Sequence, residues 1–236
     1  MLRKKLIKII NKTVMGVLLT ITLVGGIAGN ISAKENYSIP PAPEPEVIME
    51  VSNNNQPVVI LDAGHGLPKD PGAIGIDGKT KESDLNFDLT MKTKKELEAR
   101  GVKVLLTRTD KNQFKTLQER INYAMSHNES DAYVSIHHNS HNKETAMGAQ
   151  IHYDYYNSNG EKLAEKLHKP LADAVQTQDR GKIKSNFYTR NITNQPAVIV
   201  ETSFISNKND LEKAKANQDQ IAKALAQSIL EYVQTK

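Results

Sequence analysis

Five short apolar runs rich in Val and Ile occur between residues 58 and 200: 58–61, 102–106, 132–136, 149–153 and 197–200. Runs of this length and composition read as buried strands. Between them the period changes. Leu85, Leu89 and Leu97 keep one face apolar across residues 83–100, and Gly101 is placed to end that helix. Leu117, Ile121, Ala124 and Met125 follow helical spacing in a second helix, Leu163, Leu167 and Leu171 in a third, and residues 211–233 close the chain as a fourth. Residues 63–81, rich in Gly and Asp, form a loop. Strands alternating with long helices predict an α/β fold whose sheet is covered by helices on both faces.

The N-terminus has a different pattern. Arg3, Lys4, Lys5, Lys8 and Lys12 precede a mostly apolar stretch, residues 13–27, and Ala33 offers a small residue for cleavage. This is the layout of an export signal covering residues 1–33. Its apolar core falls short of the about 20 residues that a membrane span needs. A cleaved signal is expected, with an uncleaved anchor as the alternative. Residues 34–56 carry P-P-A-P-E-P-E and N-N-N-Q and read as an extended, Pro-stiffened linker. Residues 57–236 contain no further low-complexity break and form a single domain large enough for a full core.

Charge changes the picture once the signal is set aside. The chain has 31 basic and 27 acidic residues, but residues 1–33 hold five basic and no acidic ones. The remainder is close to neutral, so nucleic-acid binding is not expected. There is no Cys. The domain must therefore be stable from its core alone, and lipid attachment through an N-terminal Cys and zinc–thiolate sites are excluded.

Four polar residues stand at or near the ends of these runs or at a helix start: His65 in V-V-I-L-D-A-G-H-G, Glu82 in K-E-S-D-L-N, His137 in A-Y-V-S-I-H-H-N, and Glu201 in A-V-I-V-E-T-S-F-I-S-N. Open α/β sheets hold their sites at the C-terminal ends of strands. Two His and one Glu suit a catalytic zinc that keeps one position open, and a second Glu is left to act as base. Each residue also has a plainer reading. His65 could be a turn histidine between two glycines, and Glu82 a charge favoured at a helix N-terminus. Asp62 could orient the His65 imidazole or serve a cap or turn. Successive strand residues face opposite ways, so only one of His137 and His138 shares a face with His65; Ser135 and Asn139 favour His137. A Glu after a buried strand needs a partner, whether a metal, a mechanism or a structural cation. Ser206, Asn207 and Asp210 look like a helix start. His127, His141, His152 and His168 read as surface or packing residues.

These motifs, together with A-R-G-V-K-V-L-L-T-R-T-D, L-Q-E-R-I-N-Y-A and D-R-G-K-I-K-S-N-F-Y, resemble in order and spacing the zinc-dependent N-acetylmuramoyl-L-alanine amidases of the type 3 family. The resemblance runs from Pro57 to the C-terminus. It implies a mixed, mostly parallel six-stranded sheet between helices. It also implies one Zn2+ per domain held by His65, Glu82 and His137, with Glu201 as the catalytic residue, and so it decides for His137 over His138. Ala63, Leu67, His138, Thr202 and Ser203 depart from the family pattern without removing a ligand or the base.

By this resemblance the substrate is peptidoglycan, cut between N-acetylmuramic acid and L-alanine, outside the membrane in the cell wall or secreted. The membrane is touched only through an uncleaved N-terminal segment. Another exported zinc hydrolase, a peptidase or deacetylase, is an alternative; a catalytically silent wall-binding domain is another. Some members of the family are held inactive by an inserted helix. Residues 154–160 are too short to carry one, so no activator is expected.

Overall fold

The computed structural model describes residues 56–235, so the expected signal and nearly all of the linker lie outside the described residues. Six strands form one sheet: β1 (Val58–Ala63), β2 (Lys103–Leu106), β3 (Ala132–Asn139), β4 (Ala149–Asp154), β5 (Asp179–Ser185) and β6 (Ala197–Phe204). Their order is β2-β1-β3-β6-β4-β5. Every neighbouring pair is parallel except β4 and β6, which run antiparallel. The sheet is mixed and mostly parallel, as the family resemblance implied.

The helices are α1 (Glu82–Glu98), α2 (Leu117–Met125), α3 (Ser158–Val175), α4 (Lys208–Ala216) and α5 (Gln218–Gln234). Alternation along the strands divides the work between the two faces of the sheet. Val59, Leu61, Val134, Ile136, Val198 and Val200 point to one face and pack with Leu89 and Leu97 of α1, Leu163 and Leu167 of α3, and Ile221 and Leu225 of α5. Fully burying a side chain of this kind contributes about 1.5–3 kcal/mol, and this layer holds most of the core. The other face is covered more thinly. Ile60, Tyr133 and Ala197 meet Ile121 and Ala124 of α2 and Ile192, which follows a 3₁₀ turn at Tyr188–Asn191.

The structure adds two features to the pattern read from the sequence. β5 was not expected from the apolar runs. Its sequence D-R-G-K-I-K-S has one large apolar residue because it pairs only with β4 and forms an edge of the sheet. The expected closing helix is two helices. Asn217 breaks the helical geometry between α4 and α5, and its side-chain amide donates to Val175 O at 3.3 Å. The expected start near Ser206 holds: Asn207 caps α4 by accepting from Asp210 N at 3.0 Å. Asp210 does not return a hydrogen bond to the cap. It is buried and accepts from Gly148 N, Phe204 N and Thr177 Oγ1 instead, tying α4 to the sheet.

Candidate metal centre

His65 follows β1 after one residue, Gly64, whose N–H donates to Ile136 O at 3.0 Å. His65 itself takes the left-handed backbone conformation, φ 60°. For a residue with a side chain this costs roughly 1–3 kcal/mol, so the surroundings must hold it. Two buried arginines do so. Arg120 donates to Ala63 O at 2.9 Å and to His65 O at 2.6 Å; Arg108 donates to Ala63 O at 3.0 Å and to Ser83 O at 2.9 Å. The imidazole Nδ1 donates to Asp70 Oδ2 at 2.8 Å, which leaves Nε2 facing Glu82 Oε2 at 3.2 Å.

Glu82 is the first residue of α1 and is buried. Its Oε2 accepts from Ala73 N at 2.9 Å, and its Oε1 accepts from the Asn86 side chain at 3.2 Å. His137 Nδ1 meets Glu82 Oε1 at 3.0 Å. The two glycines flanking this cluster are needed for space. A Cβ on Gly64 would come within 2.3 Å of the His137 ring, and one on Gly72 within 2.7 Å of Glu82 Oε2.

His138 points the other way, as strand alternation requires. It is buried, and its Nδ1 pairs with Asn86 Oδ1 at 2.8 Å. Burial pushes its imidazole down to about 4, so it is neutral at pH 7. Asn86 in turn donates to Glu82, so His138 buttresses the cluster from behind.

Burial favours neutral forms at both His65 and Glu82, but their mutual hydrogen bonds outweigh it. His65 is held up at about 9 by Glu82 and Asp70, and the Glu82 carboxyl lies well below its usual range because of His137 and His65. Groups that bind protons this tightly between them offer a dication the same site once the protons leave. The donor set fits zinc. One atom each from His65, Glu82 and His137 lie within 4.8 Å of one another. A tetrahedral zinc with bonds near 2.1 Å sets its ligand atoms roughly 3.4 Å apart, close to the 3.0 and 3.2 Å seen here.

Glu201 is the register partner of His137 across β3 and β6. The strand runs on to Phe204, so Glu201 sits within β6 and not after its end. Its Oε2 is sealed from solvent and has no hydrogen-bond partner among the described residues. Burial pushes the carboxyl up to about 7, opposed by His137 and aided by Glu82. A cavity of about 220 Å³ opens beside the cluster, lined by His65, Phe114, Lys115, Leu117, His137 and Tyr188 among others.

The described residues 59–231 match the sequence model of the Amidase_3 family, N-acetylmuramoyl-L-alanine amidase. The chain belongs to this family. It is 34% identical to the N-acetylmuramoyl-L-alanine amidase LytC of Bacillus subtilis over 197 residues, which are 80% of this chain and 39% of LytC. The chain thus spans well under half the length of that relative. Among solved structures it resembles the catalytic domain of CwlV, an N-acetylmuramoyl-L-alanine amidase from Bacillus (Paenibacillus) polymyxa var. colistinus, at 33% identity and TM-score 0.70, covering 76% of this chain and 99% of CwlV's. It also resembles the CwlD amidase from Clostridioides difficile, solved in complex with the GerS lipoprotein, at 29% identity and TM-score 0.70, covering 76% of this chain and 100% of that one.

In this family member all four expected residues meet at one end of the parallel strands. The role offered to Asp62 does not hold. Asp62 is buried beneath the site, ion-paired with Arg120 and hydrogen-bonded by Thr107, Ser135 and Tyr188; Asp70 orients His65 instead. Sequence reasoning passed over Asp70, Arg108 and Arg120. Arg108 directly follows V-L-L-T, as Glu201 follows A-V-I-V, and Arg120 adjoins Ile121 on the buried side of α2. A charged residue in either setting needs a buried partner, and that was the available signal. Asp70 gave none, since it lies in a loop where Asp is ordinary.

Proposed function

We propose that the protein is an exported, zinc-dependent peptidoglycan amidase that hydrolyses the amide between N-acetylmuramic acid and L-alanine of the stem peptide. The observation that carries this reading is the meeting of His65, Glu82 and His137 with the unpartnered carboxyl of Glu201 on one face of the sheet. Family membership supports the choice of bond. His65, Glu82 and His137 would hold one zinc ion, which when bound supplies a Lewis acid for the scissile carbonyl and acidifies water.

The remaining chemistry belongs to the chain. Glu201 takes a proton from the attacking water and delivers it to the leaving alanine nitrogen. Burial raises this carboxyl, the direction that suits a group asked to accept a proton and then release it. Asp70 fixes which nitrogen His65 presents, and Asn86 with His138 fixes Glu82. Export rests on the basic and apolar order of residues 1–33, and residues 34–56 would give the domain reach within the wall.

The test is digestion of purified peptidoglycan by the protein, with chelator and with zinc restored, and mass spectrometry of the products. Zinc-dependent appearance of new L-alanine amino termini is expected. Release of acetate, or peptides cut elsewhere, would assign a deacetylase or peptidase instead. No product under any condition would leave a wall-binding domain.

A further inference from the structure

The face of the sheet that carries Glu201 continues into a second polar cluster. His137, Glu201 and Gln150 are register partners across β3, β6 and β4, so their side chains form one transverse row. The row extends to the edge strand through a bulge. Ala149 opposes Asp179 and Ile151 opposes Lys182, so Arg180 and Gly181 together oppose Gln150.

Arg180 is exposed, yet its guanidinium is held in place. Its stem crosses Gly148, where a Cβ would lie 2.8 Å from Cγ and Cδ. Its guanidinium lies over the Phe204 ring, 5.2 Å from the centroid. Nε donates to Gln150 Oε1 at 2.7 Å and Nη1 to Met147 O at 3.3 Å. Gln150 is fixed in turn: its amide nitrogen donates to His152 Nε2 at 2.8 Å, and His152 Nδ1 pairs with Ser185 Oγ. Burial holds His152 down at about 4, which keeps Nε2 an acceptor at neutral pH. This chain orients Arg180 towards the row that contains Glu201. Among the described residues Nη2 has no hydrogen-bond partner and no carboxylate pairs with the guanidinium.

A fixed, solvent-facing guanidinium with free donors matches a carboxylate. Resting on the amidase reading above, we propose that Arg180 binds a stem-peptide carboxylate on the alanine side of the scissile bond. Arg180 Nε bonds Gln150 on β4, which stands two strand spacings from His137, so the guanidinium lies about 10 Å from His137 across the sheet, and the His137 side chain reaches up into the same gap. Two extended residues cover roughly 7 Å. The residue after L-alanine therefore falls within reach. In stem peptides that residue is D-glutamate, whose α-carboxyl occurs free or as the amide.

The experiment compares muramoyl-L-alanyl-D-glutamate with its D-isoglutamine counterpart as substrates of the zinc-loaded protein. The wild type should favour the free acid by about 10- to 100-fold in kcat/KM, the scale of a hydrogen bond to a charged group. In Arg180→Gln that ratio should fall towards one, chiefly through KM of the acid, and Arg180→Lys should restore part of it. Equal turnover of both substrates by the wild type, or an unchanged ratio in Arg180→Gln, would overturn the proposal and leave the amidase reading intact. The wild-type ratio needs no variant to fold. Cleavage of neither substrate, with intact peptidoglycan also uncut, would remove the amidase reading and this proposal with it.

Discussion

Asp62 follows V-V-I-L on β1, and Glu201 follows A-V-I-V on β6; both side chains leave the more polar face of the same sheet. Around Asp62 the face is saturated. Arg120, Thr107, Ser135 and Tyr188 all bond its carboxylate, and although burial opposes the charge, Arg120 and the hydroxyls hold the group down at about 2. Around Glu201 the face is left open. One oxygen has no partner, and burial lifts the group to about 7. Two carboxylates in the same kind of sequence setting thus differ by what neighbouring strands and helices bring to them. One is a tie that supports the backbone of His65 through Arg120; the other is a buried carboxyl whose Oε2 has no partner among the described residues. A carboxylate that needs a partner and lacks one marks function better than burial alone.

The strongest test of this contrast is Glu201→Gln. Activity should fall by about 10² to 10⁴-fold, the usual contribution of a positioned acid–base group. Metal content should be unchanged, and stability within about 1 kcal/mol of wild type, because no hydrogen bond to Oε2 is lost. Turnover, bound zinc and denaturant midpoint should be measured on the same preparation. Near-normal turnover would remove Glu201 from the mechanism.

Asp62→Asn should do the reverse and act first on stability. It leaves Arg120 buried without its counter-charge, a change worth roughly 3–5 kcal/mol. The wild-type pair also sets an acid limit. The folded value, about 2, lies below the ordinary aspartate value of 3.8, so the stabilisation is complete above about pH 4 and is lost as pH falls towards 2. Denaturation midpoints across that window should fall less steeply in Asp62→Asn than in wild type. Parallel slopes would mean that other carboxylates set the acid limit.

The adjacent histidines of β3 give a smaller, sharper contrast. His137→Ala should lose stoichiometric zinc, because Nδ1 is the atom that faces Glu82. His138→Ala should keep zinc with affinity weakened by about 10- to 100-fold, since the His138 side chain reaches Glu82 only through Asn86 and the backbone N–H that donates to Glu82 Oε1 is unchanged. Metal titration of both variants decides. Equal loss in the two would show that His138 reaches the metal.

The extent to which all this was legible in the sequence differs by feature. β1, β3, β4 and β6 were visible because their apolar residues must face a helical layer. β5 was hidden because an edge strand keeps its charges: Lys182 on it pairs with Glu161 and Glu165 of α3. The break at Asn217 was hidden because α4 and α5 keep compatible apolar spacing on either side. At the site, parity favoured His137 over His138, and the structure puts them on opposite faces. What parity could not show was the support. Asp70, Arg108 and Arg120 act on His65 through contacts that depend on how the loops return, and Asp62 was offered the role that Asp70 fills.

The last contrast is between the described domain and the linker before it, and here little effect is expected. Only residues 155–157 separate β4 from α3, and β4 runs antiparallel to β6, so this connection leaves the sheet at the end away from Glu201. The loop between His65 and Glu82 is pinned near both ends, by the Gly66–Asp70 bridge and by the Ile74–Lys81 bridge, and it supplies Asp70 and Gly72 to the site itself. Residues 34–56 gather most of their aliphatic side chains in one short run, Val47, Ile48, Met49 and Val51, between a Pro- and Glu-rich stretch and an Asn-rich one, which offers a small surface with which to hold a position over the cluster. A chain beginning at Pro57 should therefore match residues 34–236 in peptidoglycan hydrolysis to within about twofold, the scale of changes away from buried features. A gain of about tenfold or more on trimming, equivalent to roughly 1.4 kcal/mol, would show that the linker covers the groove. Zinc-loaded protein that cuts peptidoglycan only when a second protein is added would show that the site is not open in the isolated chain.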